Sequence, residues 1–369
     1  MTKLRPLPFL LLSLVAGAVL PLPAADDADK GKPITEVAHF DKYQVTGVAV
    51  SKTGRIFANF PHWEGDYKDA VVEVMPDGTT KPFPNEEWNS YADGDKNTAG
   101  KWVCVQSVVV DDKDRLWVLD PGNINMKGVI AGAPKLVQID LTNNQVVQNI
   151  PFGSDVAPSK SYLNDVRFDN AKEFAYLTES GLGGIVVVNL KTGNTRRLLV
   201  EDLSTLADKN VDLAVNGKEV LDEKGKKPNF TADGIALSPD GETLYYQSIL
   251  SDTLYKIATA KLRDESLSKN DLHNAVEVAG KTFPVDGLWM DKQGTIYLSD
   301  LRGGTIKKRT ADGKIELVCS DPRIQWPDSF AQGPDGALYF TCSHIHHQPK
   351  YNGGQSARTE PYTIFKVMP

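Results

Sequence analysis

Asp233–Ser248 reads DGIALSPDGETLYYQS, and a segment of that character occurs six times along the chain. The other copies are TGVAVSKTGRIFANF from Thr46, QSVVVDDKDRLWVLD from Gln106, NDVRFDNAKEFAYLTE from Asn164, DGLWMDKQGTIYLSD from Asp286 and DSFAQGPDGALYFTC from Asp328. Each contains a short apolar run, then a tight-turn signal such as Pro239-Asp-Gly241 or Lys292-Gln-Gly294, then a run rich in Tyr, Trp, Phe, Ile and Leu. An apolar run of that length suits a strand buried on both faces, and the turn residues suit a hairpin. Self-similarity at intervals of tens of residues marks a radial repeat.

Most copies are followed by a second hairpin of β-type sequence, at VVEVMPDGTTKPF from Val71, KLVQIDLTNNQVVQNI from Lys135, GGIVVVNLKTGNTRRLLV from Gly183 and GTIKKRTADGKIELVC from Gly304. Four antiparallel strands per unit, six units in series, predict an all-β, six-bladed β-propeller. The last unit runs out of chain after its third strand at Tyr362–Val367, while Thr35–Phe40 lies unassigned at the other end. The N-terminal segment is therefore expected to complete the last blade, closing the ring and hiding two exposed edges. Residues 35–369 form a single domain on this reading.

Ahead of it, Lys3 and Arg5 precede an apolar run from Phe9 to Leu20 and the small-residue stretch Pro21–Ala25. Residues 1–25 are read as an export signal, because the run is shorter than a spanning helix needs. Residues 26–34 are read as a charged, disordered linker. The expected location is secreted or periplasmic, with no stable membrane insertion after cleavage. Cys104, Cys319 and Cys342 lack the paired spacing of a zinc site; an oxidising compartment permits one disulfide among them, with the pairing open, and they are read as buried free thiols. A formal charge of −7 argues against nucleic acid as the natural partner, since that role needs a clustered excess of Lys and Arg. A small molecule is the expected partner. Gly181–Gly184 lacks the lysine and the strand-to-helix setting of a phosphate loop, so no organic cofactor is expected. The oligomeric state is open.

In an antiparallel blade, the start of the first strand and the end of the second emerge at the same mouth of the channel. That places Thr46, Gln106, Asn164, Asp233, Asp286 and Asp328 around one opening, with His62, Trp63, Asp120, Glu179, Asp300, Arg302 and His344 on its rim. Asn164, Asp233 and Asp286 offer oxygen ligands suited to one divalent cation, calcium or alternatively magnesium. Asp286 doubles as the candidate general base. Asp or Asn at strand entry also has a plainer use, in turn hydrogen bonding. His344-Ile-His346-His347 offers neutral imidazoles for a transition metal or acid–base chemistry, but is read as leaving its strand into a surface loop. Trp63 and Trp102 are candidate apolar platforms, although aromatic residues in such a fold more often serve the core. Two polar insertions, Asn85–Lys101 and Asp208–Lys227, are read as partial lids at the same mouth.

The segments VQSVVVDD…RLWVLDPG from Val105 and YLNDVRFD from Tyr162, followed by AYLTESGLGG from Ala175, resemble the major royal jelly/yellow protein family in a bacterial form. The resemblance implies a secreted six-bladed propeller and either binding of small amines or a dopachrome tautomerase-like activity. More distantly the chain is similar to the regucalcin/gluconolactonase propellers, which hold a divalent cation on the axis and hydrolyse sugar lactones. Where those proteins carry Glu, Asn, Asn and Asp in blades one, three, four and five, this chain has Thr46, Asn164, Asp233 and Asp286. A non-catalytic interaction platform is the third alternative.

Overall fold

The computed structural model describes Met1, residues 31–63 and residues 67–369. The expected export signal and most of the expected linker fall outside them. Among the described residues no helix is long and apolar enough to cross a membrane. The chain is already tied down at the end of the expected linker: Gly31 bridges to Cys319, and the Lys32 amide donates to the Val318 carbonyl at 2.7 Å.

Six four-stranded antiparallel sheets follow one another around a central channel. Their innermost strands are Gly47–Val50, Ser107–Val110, Leu163–Asp169, Ala232–Leu237, Val285–Met290 and Pro327–Gln332. These are the apolar runs of the six repeats, and they are largely buried because each is walled by the channel and by its neighbouring blades. Ile34–Phe40 pairs antiparallel with Tyr362–Val367, from Ile34 opposite Val367 to Phe40 opposite Tyr362, so the last blade is built from both chain ends. Ala38, Tyr339 and Ile364 of that blade pack with Val48, Ala58 and Val72 of the first, and this apolar contact seals the ring. Trp117, Leu119 and Leu136 of blade two meet Leu163, Val166 and Leu177 of blade three in the same way, so the core lies between blades.

All three cysteines are free and buried. Trp102 is a core residue, fully buried, with its indole N–H donating to the Phe83 carbonyl at 3.0 Å and its ring against Trp88 at 4.3 Å. Of the two roles open to it, ligand platform or core, Trp102 takes the core one, because an indole at an insertion base is drawn inward by the apolar area it buries. The insertion Asp208–Lys227 carries a small hairpin, Ala214–Val215 against Lys218–Glu219, absent from the six-fold pattern.

Candidate functional site

The inner strands of blades three to six are each bulged at their entry, between Leu163 and Val166, Ala232 and Gly234, Val285 and Leu288, and Pro327 and Phe330. Blades one and two are regular there. A bulge breaks strict side-chain alternation and re-aims consecutive residues. The four acids of the channel, Asp165, Asp233, Asp286 and Asp328, all stand at these bulges.

A hydroxyl on the second strand supports several of the bulges. Ser299 Oγ accepts the amides of Asp286 at 3.0 Å and Gly287 at 2.9 Å. Thr178 Oγ1 accepts the Asp165 amide and donates to the Asp233 carbonyl at 2.6 Å, stitching blade three to blade four. Thr341 Oγ1 accepts the Ser329 amide and donates to the Thr46 carbonyl at 2.9 Å, stitching blade six to blade one. Ser299→Ala strands two buried amides and should cost about 2 kcal/mol or more in urea unfolding, whereas Ser299→Thr should cost far less. Equal losses for the two would count against this support role.

Asn164 Nδ2 donates to Asp233 and, at 3.0 Å, to Ser180 Oγ. Asp233 in turn shares a hydrogen bond with Asp286. Trp326 donates its indole N–H to Asp286 Oδ2 at 2.6 Å. Burial first, and then the Asp286 and Asp165 charges, push the Asp233 and Asp328 carboxyls well above the ordinary range. Burial lifts Asp286 to about 6, a rise limited by the hydrogen bonds from Asp233 and Trp326. Carboxylates this close cannot all ionise without a cation, so the ligand-free cluster holds protons. Asp328 Oδ2 is buried with no hydrogen-bond partner. The cluster's oxygens are the hard donors that a divalent cation takes. They are nevertheless turned toward one another, and among the described residues no group of three or more His, Cys, Asp or Glu is arranged as a metal centre.

The mouth above is roofed. Leu213, Val215 and Val220 from the hairpin insertion pack with Ile249, Leu250, Leu301, Trp326 and Ile345 from the loops of blades four to six, and with Trp63, Cys104 and Tyr162. Polar latches hold the hairpin at its edge: Arg302 to the Asp212 carbonyl at 2.6 Å, Asn216 to Gln325 at 2.8 Å and Lys218 to Asn352 at 2.8 Å. Trp63 Nε1 donates to Tyr162 Oη at 2.8 Å, and Tyr162 Oη to Gln106 Oε1 at 2.8 Å.

His344, His346 and His347 are drawn into this roof, which corrects the surface-loop expectation. Residue 344 adopts a left-handed φ of 50° and the chain then makes a single turn of 3-10 helix at Ile345–His347. The His346 ring stacks on Trp326 with centroids 5.8 Å apart and lies 3.9 Å from the His347 ring. Burial, with His347 close by, pulls His344 and His346 down to about 3, so both are neutral imidazoles. Both His346 ring nitrogens are buried without a partner. Trp326 also has a left-handed φ, 56°, so two strained non-glycine residues of blade six frame the cluster.

Other expected rim residues are placed at this mouth but turned away from the axis. Asp120 accepts the amides of Val103, Cys104 and Gly122 and pairs with buried Lys135 at 2.9 Å. Glu179 accepts the amides of Tyr162, Gly181 and Leu182 and pairs with Arg197. Asp300 accepts the amides of Arg302 and Gly303 and pairs with Lys307 at 2.7 Å. Each clamps the loop that follows its own strand. Thr46 Oγ1 is taken up by Gln106 and Asn59, and His62 stacks on Tyr67 with centroids 4.1 Å apart. Asp165, Tyr162, Trp326 and Arg167, which donates to the Leu288 carbonyl at 2.6 Å across the channel, were not singled out from the sequence.

The six sheets and the acid-floored, roofed channel mouth define the class as a six-bladed β-propeller. The chain belongs to the major royal jelly protein family, whose sequence profile matches residues 103–332. Major royal jelly protein 1 of Apis mellifera is 26% identical over 203 residues, spanning 52% of this chain and 44% of that protein. Protein yellow of Drosophila melanogaster is 24% identical over 237 residues, spanning 60% and 42%. The matches thus span less than half the length of these relatives. Among solved structures, a calcium-binding regucalcin from Agrobacterium tumefaciens superposes with a TM-score of 0.54 at 14% identity, covering 92% of this chain and 94% of that one. A gluconolactonase from Xanthomonas campestris gives 0.51 at 13% identity, covering 94% and 98%. At such identities these likenesses describe the fold.

Proposed function

We propose that the chain is an exported small-molecule binder whose roofed mouth takes an aromatic amine. The observation that carries this is the buried carboxyl cluster Asp233–Asp286–Asp328, which lacks a cationic side chain of its own and leaves Asp328 Oδ2 unpartnered. An ammonium group supplies the missing positive charge, and Trp326 and Tyr162 supply aromatic faces beside it. Most of the other buried atoms without partners lie at the same end of the channel, at Asn59, His62, Ser161 and both nitrogens of His346. Each such atom costs about 1–3 kcal/mol unless something meets it. A tautomerase role uses the same cluster: the Asp286 carboxyl, raised by burial to about 6, can exchange a proton with a bound ring near neutral pH.

The test is thermal denaturation with tryptamine, with neutral indole and with calcium chloride, on the parent chain and on Asp286→Asn and Asp328→Asn. Stabilisation by tryptamine of several degrees, absent with indole and abolished in both variants, is expected. Calcium reads out the second alternative, favoured by the all-oxygen donor set: stabilisation by calcium instead of tryptamine replaces the amine binder with a metal-dependent lactone hydrolase. No response to either ligand overturns both and leaves an interaction platform.

A further inference from the structure

The channel also opens at the opposite end. There the far ends of all six inner strands enclose a cavity of about 700 Å3, within the size range of small-molecule sites. Its wall is mixed: apolar and aromatic side chains such as Val50, Phe168, Trp289 and Phe330 share it with polar ones such as Asp111, Asp291 and Gln332. At its inner end stands Arg167, which separates this cavity from the acid cluster. Arg167 Nη1 donates to the Val166 carbonyl at 2.8 Å and Nη2 to the Leu288 carbonyl at 2.6 Å, while Nε is buried with no partner. Its one carboxylate neighbour, Asp165, is 3.6 Å away, a looser approach than a bidentate pair, and Asp165 already accepts from Ser107 at 2.9 Å.

The acids around this opening have partners. Asp111 is held by Arg115 and the Trp117 indole, Asp112 accepts from Asn170, and Asp291 accepts the amides of Gln293 and Thr295. Lys52 is bonded to the Asp112 carbonyl at 2.7 Å. Lys292 is exposed at the rim. The hydrogen-bond partners of Asp112 and Asp291 are neutral groups, and these acids stand at the rim with Lys52 and Lys292, whereas the charge at the inner end is the Arg167 guanidinium with its Nε unpartnered. A guanidinium offers five donors in a planar fork suited to a carboxylate.

We propose that this opposite mouth is a second binding site, selective for a planar aromatic carboxylate whose anion meets Arg167 and whose ring lies against Trp289 and Phe330. The site is independent of the amine reading, since it differs in location and in the sign of the charge it selects.

The test is calorimetric titration of the full chain with indole-3-acetate, with tryptamine as the matched amine. Indole-3-acetate should bind the parent chain, Trp289→Ala and Arg167→Met should each weaken it at least tenfold, and Asp328→Asn should leave it unchanged. Arg167→Met removes the guanidinium beside Asp165 and so bears on folding as well. Trp289→Ala, on a half-buried wall residue, keeps the test decisive where Arg167→Met does not fold. Absence of binding to the parent chain, binding indifferent to Trp289→Ala, or weakening by Asp328→Asn equal to that by Trp289→Ala overturns the proposal.

Discussion

Asp286→Asn should be more stable than the parent chain by a margin that is small at about pH 4 and grows to on the order of 3 kcal/mol by about pH 8. In the folded chain the Asp286 carboxyl is raised from 3.8 to about 6, chiefly by burial. The unfolded chain ionises this group freely above its ordinary value, and the folded chain resists. The group therefore removes stability as pH rises between those two values, and the loss is complete above the folded one. Asp233 and Asp328, raised in the same direction, extend the window upward. His344 and His346 act oppositely: depressed to about 3, they remove stability as pH falls below 6.5. The parent chain alone therefore shows the sum of two opposed slopes, and the difference between parent and variant removes the histidine contribution and reports Asp286 together with its effect on Asp233 and Asp328. Urea unfolding of both proteins across that range measures it, and a pH-independent difference would show that Asp286 ionises normally.

Gly287→Ala should prevent the ring from assembling in its present form. A Cβ built on Gly287 would lie 1.8 Å from the Asp328 carbonyl oxygen and 2.9 Å from its carbon, both backbone atoms of the next blade's inner strand. Real side chains never approach that closely, so blades five and six would have to part. Gly234 has the same relation to Asp286, at 2.5 Å from its carbonyl oxygen. Glycine here permits close convergence of inner strands rather than a turn, which revises the plainer account of the Asp-Gly pairs. The expected result is an insoluble or largely unfolded variant, read by circular dichroism and gel filtration. Gly294→Ala serves as a comparison: a Cβ there meets nothing within 4 Å, although its φ of 81° brings some backbone strain. A folded Gly287→Ala no less stable than Gly294→Ala would refute the close-approach account.

The fold was legible because strand patterning and turn chemistry repeat in register six times, so each copy corroborates the others. Even the shared last blade followed from a missing strand at one end and an unassigned one at the other. The mouth was legible too, since strand direction alone assigns Asn164, Asp233, Asp286 and Asp328 to one end. Orientation at that end was not. Asp120, Glu179 and Asp300 close their own loops because the amides of those loops need acceptors, and no periodicity reveals which way such a side chain turns. Asp165 was hidden by the bulge, which lets two neighbouring residues contribute where alternation allows one. Arg167 did leave a signal, a lone cation inside an apolar inner strand, VRF, and a buried charge asks for a partner. The histidine turn carried no such signal, because its burial depends on a roof assembled from distant insertions.

Binding of a cation to carboxyls that share protons must expel protons, and this is the most direct test of the mouth. Tryptamine titrated at about pH 6 in two buffers of different ionisation enthalpy should release a substantial fraction of a proton or more per ligand bound, and Asp286→Asn should reduce that release. Binding with no proton exchange, or exchange unchanged in Asp286→Asn, would show that the ligand does not meet the Asp233–Asp286–Asp328 cluster.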